Sequence, residues 1–142
     1  MTTIKFKKIN DFAEIPTKVY ESDAGFDFKC INDFILDPNE MIVVDTGLSC
    51  ALEDGYELQI RPKSGLAMKG ITIVNSPGTI DCHYRGPIKI ILANIGTQFL
   101  DFKKGYKIAQ GVIQQLPSIK IIEVSELDKT DRNEKGFGSS GK

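Results

Sequence analysis

The sequence predicts an all-β fold: a jelly-roll-like barrel or sandwich of many short strands, with one short helix and a flexible C-terminal arm. Three observations predict it. Short apolar segments recur along the chain between Gly, Pro, Asn and Asp residues. Isoleucine and valine dominate these segments, and several alternate apolar with polar residues at period two. The single shift in composition falls near residue 126, beyond which the chain turns polar and glycine-rich. Many short strands with turns at close intervals are the pattern of a sandwich, a jelly roll or a small barrel.

The elements follow in order. Residues 22–28 lead into a strand in which Phe26 and Phe28 face one way and Asp27 the other. Residues 41–44 and 56–60 read as the next strands. Pro62 then stiffens a turn, and residues 64–69 form the one stretch suited to a helix, which Gly70 ends. Strands over 71–74 and 88–92 follow, and between them Asn75 and Tyr84 flank a tight Pro77-Gly78 turn, so residues 75–84 read as a β-hairpin. A strand beginning after Gly105 leaves Gln110 near its middle, a neutral polar group that needs a partner if buried. Residues 119–124 read as a last strand. The expected organisation is a barrel core over 1–125 and an arm over 126–142.

Composition narrows the function. A chain of 142 residues is one domain large enough to bury its core without staples. With 26% charged residues and a net charge of −1, no basic field points to nucleic acid. Cys30, Cys50 and Cys82 form no C-x-x-C pair, which suits a reducing compartment. His83 is the only histidine, and no zinc-ligand spacing is apparent around it. No apolar run reaches membrane-span length, and the first residues resemble no signal peptide, so a soluble cytoplasmic protein with no membrane partner is expected.

Polar residues and glycines interrupt the strands where packing alone would not put them. Lys63, Ser64 and the Gly65 N–H gather at a helix start, an anion cradle or, more plainly, a Ser64 helix cap. Asn75 and Tyr84 bracket a backbone stretch over which a planar base such as uracil can be read by main-chain groups. Asp81 then stands where a carboxylate could take a proton from water; the plainer alternative is a surface ion pair with Arg85. Asp27 by itself reads as an outward carboxylate. Residues 136–142 fit the letters G-x-x-x-x-G-K, but the charged run before them makes a poor buried strand, so the P-loop reading fails on context. The arm is left with Arg132, several hydroxyls and Phe137, whose ring wants an apolar partner such as a base.

Taken together these segments resemble the trimeric dUTPases (deoxyuridine 5'-triphosphate nucleotidohydrolases), whose five motifs run in the same order. Ala24-Gly25-Phe26-Asp27-Phe28 is similar to the first motif and Arg61-Pro62-Lys63-Ser64-Gly65-Leu66-Ala67 to the second. Gly78-Thr79-Ile80-Asp81-Cys82-His83-Tyr84-Arg85-Gly86 is similar to the third, and Gly105-Tyr106-Lys107-Ile108-Ala109-Gln110 to the fourth. Residues 132–141 correspond to the fifth.

The resemblance implies Mg2+-assisted hydrolysis of dUTP to dUMP and pyrophosphate, which limits uracil in DNA and supplies dUMP for thymidylate synthesis. It implies that Asp81 is the general base for attack on the α-phosphate and that Asp27 holds Mg2+ through a water. Lys63, Ser64, Gly65 and Gln110 would hold the phosphate chain. Asn75 and the backbone of Thr79, Ile80 and Lys89 would line the deoxyuridine pocket, with Tyr84 packed on the sugar to exclude a 2′-hydroxyl. Arg132 would reach the γ-phosphate, Phe137 would stack on uracil, and Gly138, Ser139 and Ser140 would donate to phosphates. A homotrimer with sites shared between subunits is implied as well.

The chain departs from the family pattern in Lys63 for Arg, Tyr106-Lys107 for Asp-Arg, Asn133 for Gly and Ser140 for Thr. Lys63 keeps the charge but loses the two-pronged grip of a guanidinium. Tyr106-Lys107 reads as a structural contact. Two other readings stand beside the hydrolase: a dCTP deaminase, which shares the fold, and a module whose arm nucleotide binding orders as a switch.

Overall fold

The computed structural model describes residues 1–141. Its framework is entirely antiparallel. Strands β2 (Phe26–Lys29), β11 (Lys107–Gln115), β6 (Tyr56–Arg61) and β8 (Gly78–Asp81) form one sheet in the order β2-β11-β6-β8. Strands β4 (Met41–Asp45), β9 (Lys89–Asn94) and β7 (Ile71–Ile73) form a second, in the order β4-β9-β7. Two ribbons complete the jelly-roll-like body: β1 (Lys5–Lys8) with β5 (Leu48–Ala51), and β10 (Leu100–Phe102) with β3 (Phe34–Leu36). The sole helix among the described residues, α1 (Ser64–Ala67), is a single turn.

Alternation decides which side of each strand is buried. Phe26 and Phe28 point into the core and Asp27 to the opposite face, as expected. Leu58, Ile60, Ile90, Leu92, Phe102 and Ile108 meet them there, all buried. Three phenylalanines cluster edge to edge, with Phe6 5.9 Å from Phe26 and 6.0 Å from Phe28 between ring centroids. Gly111 makes this possible, because a Cβ on it would lie 2.7 to 2.9 Å from Phe26, Phe28 and Leu58. Buried Asn94 is satisfied on both ends: Nδ2 donates to Leu36 O and Gln98 O, and Oδ1 accepts from Gly96 N.

Two expectations need correction. Residues 75–84 are not a hairpin of paired strands: β7 bonds to β9 and β8 to β6, so the chain crosses between sheets at residues 74–77. Ile71 and Ile73 are buried in one layer and Gly78 in the other, and each strand's bonding edge is taken by its own sheet. Residues 119–124 are not a strand. They are exposed throughout and pair with nothing among the described residues, although Ile119 and Ile121 are β-formers. A strand exists by its ladder, and propensity cannot substitute for a partner.

Candidate active site

Two groups of polar side chains occupy opposite corners of the β2-β11-β6-β8 sheet. At the first corner Asp27, Gln110 and Arg61 stand in register across β2, β11 and β6. Gln110 Nε2 donates to Pro62 O at 2.8 Å, which supplies the partner its mid-strand position requires. Gly25 leaves room for it, since a Cβ there would lie 2.6 Å from Gln110 Oε1. The Asp27 side chain is 14% exposed and accepts from two ammonium groups, Lys63 Nζ at Oδ1 and Lys107 Nζ at Oδ2, the latter at 2.8 Å. Burial pushes its carboxyl up, but the hydrogen bonds and charges of Lys107 and Lys63 outweigh that and hold it below the usual carboxylate range.

A cavity of about 270 Å³ opens beside this pair, lined by Lys63, Gly65, Leu66, Lys69, Tyr106 and Lys107. Three lysines make it cationic. Ser64 is the first helical residue rather than the cap, and no side-chain cap bond is made at Lys63. With only one helical turn, the positive charge of this corner comes from the lysines rather than from a helix end. The structural contact expected of Lys107 is its ion pair with Asp27, a partner that the fourth motif alone does not reveal because the pairing of β11 with β2 brings the two together.

The second corner is the outer edge of the sheet. β8 pairs with β6 on one side only, so its other backbone edge is free of protein partners among the described residues. Beside it lies a cavity of about 290 Å³ lined by Thr79, Ile80, Asp81, Tyr84, Pro87 and Lys89. Asp81 is the one carboxylate in that lining. Tyr84 is fixed by its N–H, which donates to Asp81 O at 3.0 Å, and by its hydroxyl, which donates to Pro87 O at 3.1 Å. Lys89 Nζ is paired with Asp45 at 3.5 Å. Arg85 donates to Cys82 O and Tyr84 O, so the expected alternative of an Asp81–Arg85 ion pair is not formed. Asn75 sits at the head of β8, its Nδ2 3.3 Å from where a Gly78 Cβ would be.

The corners are far apart. Three strand spacings and four residues of β6, from Arg61 to Glu57, separate Asp27 from Asp81. At about 4.8 Å per strand and about 3.4 Å per residue the diagonal is about 20 Å. Arg61, Gln59 and Glu57 bridge part of it as a hydrogen-bonded ladder, at 2.7 Å for each step's shorter contact. The arm reaches neither corner. Arg132 Nε donates locally to Lys135 O at 2.9 Å, and Phe137 is fully exposed. Asn133 adopts a left-handed φ of 48°, which suits the asparagine found where a glycine is usual.

A family model described as dUTPase matches residues 11–141. The chain belongs to the dUTPase family. It is 48% identical over 140 residues to the deoxyuridine 5'-triphosphate nucleotidohydrolase of Wolinella succinogenes, across 98% of this chain and 94% of that protein. It is 49% identical over 140 residues to that of Nautilia profundicola, across 98% and 99%. In structure it is similar to the Staphylococcus bacteriophage 80alpha dUTPase with dUPNHPP, at a TM-score of 0.90, 26% identity and 98% coverage of each chain. A dUTPase from phage phi11 of S. aureus, described with a structural Mg(II) ion, shares the fold at a TM-score of 0.82 and 21% identity, across 89% of this chain and 99% of that one. The chain is accordingly a dUTP-hydrolysing enzyme.

Proposed function

We propose that Asp81 activates water for in-line attack on the α-phosphate of dUTP, releasing dUMP and pyrophosphate, in a site assembled from more than one copy of the chain. The observation that carries this reading is the free edge of β8, which sets Asp81 and Tyr84 together around one cavity. Uracil lies along that edge, where main-chain groups of Thr79 and Ile80 and the backbone of Lys89 read its donors and acceptors, with Asn75 at the head of the strand. The Tyr84 ring packs on the deoxyribose. The Asp81 carboxylate takes the proton as the water oxygen bonds to the α-phosphorus and the bond to the leaving pyrophosphate breaks.

Lysine charge at the other corner suits the phosphates. Lys63, Ser64, Gly65 and Gln110 hold the chain of phosphates, and Lys107 adds positive charge beside Asp27. A separation of about 20 Å is too long for one triphosphate to bridge within a chain, which favours a neighbour's corner facing each Asp81. Ile119, Ile121 and Leu127, exposed to 75%, 89% and 84%, give the chain an apolar strip suited to burial against another copy. A closed homotrimer meets both needs. Over such a site the arm supplies Phe137 to stack on uracil, Arg132 to the γ-phosphate, and Gly138, Ser139 and Ser140 to the phosphate oxygens.

Asp27 fits Mg2+ only at a distance. Both of its oxygens already carry lysines, so it can touch the ion's water shell while substrate phosphates provide the direct ligands. When bound, the metal offsets phosphate charge and aligns the chain for displacement. The test is product analysis with dUTP, dCTP, dTTP and UTP, each with and without Mg2+. Pyrophosphate from dUTP alone is expected, and its loss in Asp81→Asn with nucleotide binding kept. Ammonia from dCTP would establish the deaminase reading instead, and undiminished hydrolysis by Asp81→Asn would remove that residue from the mechanism.

A further inference from the structure

We propose that Asp54, Cys82 and His83 form a binding site for a borderline divalent metal of the zinc and cobalt class, distinct from the Mg2+ that accompanies the phosphates. The three side chains offer oxygen, sulfur and nitrogen, all within 4.8 Å of one another. His83 Nε2 lies 2.6 Å from Asp54 Oδ1, and Cys82 Sγ lies 3.9 Å from the same oxygen. In a tetrahedral site with bonds of 2.0–2.3 Å, ligand atoms stand about 3.3–3.6 Å apart. A metal therefore needs the Asp54–His83 contact to widen by about 0.7 Å, and the thiol to approach Asp54 by a few tenths of an ångström and His83 by up to about 1 Å. Both groups are on exposed turns that can move that far.

The backbone beneath them is already set. Asp54 lies in the turn between β5 and β6, and Cys82 and His83 directly follow β8. Those two strands are held in register through Glu57 and Asp81, and the Cys82 carbonyl accepts from Leu52 N at 3.5 Å and Arg85 Nη1 at 2.6 Å. The Asp54 and His83 side chains are 83% and 74% exposed, which leaves the outer coordination position to water. A thiolate with an imidazole selects zinc-like ions over Mg2+, which prefers an all-oxygen shell. Entry of the metal releases the Cys82 thiol proton to solvent. The ligand spacing in sequence, 54 to 82 and 83, matches no zinc motif, so only the meeting of two turns reveals the set.

The other thiols do not compete. Cys30 and Cys50 are 1% and 4% exposed, and burial pushes both up, away from the thiolate form. Sulfur ligation is therefore a signature of Cys82. The experiment titrates Co2+ into the reduced, metal-free full-length protein with excess Mg2+ and no nucleotide, so its outcome is independent of dUTP hydrolysis. One equivalent of near-ultraviolet sulfur-to-cobalt absorption is expected, erased by Zn2+ and missing from Cys82→Ser. Asp54→Asn and His83→Gln should each weaken Co2+ binding about tenfold or more. Thermal unfolding of each variant confirms that it is folded. No sulfur-to-cobalt band in the wild type, a band that survives in Cys82→Ser, or unchanged affinity in both other variants would overturn the site.

Discussion

If each active site joins the Asp81 of one chain to the arm of another, two inactive variants should rescue each other. One variant is Asp81→Asn with its arm intact; the other ends at Asp131 and keeps Asp81. The arm can make the crossing: from Gln115, the end of β11, to Phe137 the chain runs 22 residues, an extended reach of about 70 Å. In a closed ring of three, each site pairs one chain's base with a neighbour's arm, in whichever direction the arm passes. Random assembly from equal amounts makes about three quarters of the rings mixed, and every mixed ring contains one live site of three. Recovery should therefore be about a quarter of wild-type activity. The assay is steady-state pyrophosphate release after co-expression, with mixed rings isolated by two different affinity tags. Isolated mixed rings should run at about a third of wild type. No recovery in authenticated mixed rings would mean that base and arm serve one site from one chain, and the shared-site proposal would fall.

Removing the sugar contact should relax selectivity: Tyr84→Ala is expected to raise the UTP:dUTP ratio of kcat/KM by about tenfold or more, and an unchanged ratio would dismiss the steric role of the ring. Asp27 should contribute stability at neutral pH that acid removes. Its folded-state pKa is depressed, so the contribution is complete above the unfolded value of about 3.9 and is lost as pH falls through the lower folded value. Urea unfolding should show Asp27→Asn less stable than wild type at pH 7, by on the order of 1–3 kcal/mol, with the gap closing in acid; a gap independent of pH would refute the ion-pair origin. The two glycines should separate function from packing. Gly25→Ala displaces the movable end of Gln110 and should raise KM with a stability change below about 1 kcal/mol, whereas Gly111→Ala drives a methyl into three core side chains and should cost about 1–3 kcal/mol or more. Equal stability losses in the two would contradict those packing distances.

Much of the site was legible because its residues lie in short contiguous segments. Thr79, Ile80, Asp81 and Tyr84 arrive at one cavity through the local path of β8 and its turn. Period-two alternation sent Asp27 away from Phe26 and Phe28 without reference to any other strand. Lys107 was read as a structural contact, but its partner was not legible. Its meeting with Asp27 depends on the antiparallel pairing of β11 with β2, including a register shift between Lys107 and Ala109.

The sequence by itself determined the all-β class and the inward and outward faces of its strands, which follow from periodicity, and the order of its five motifs, which resembles that of the dUTPases. Tertiary structure alone decided that β7 and β8 part into different sheets, which leaves one edge of β8 without a partner strand among the described residues. It also decided that residues 119–124 stay unpaired among the described residues, and that Asp54 stands beside Cys82 and His83. Each of these depends on which distant strand takes up a given set of backbone hydrogen bonds. That choice is made by burying the whole apolar surface at once, and no local window of sequence contains it.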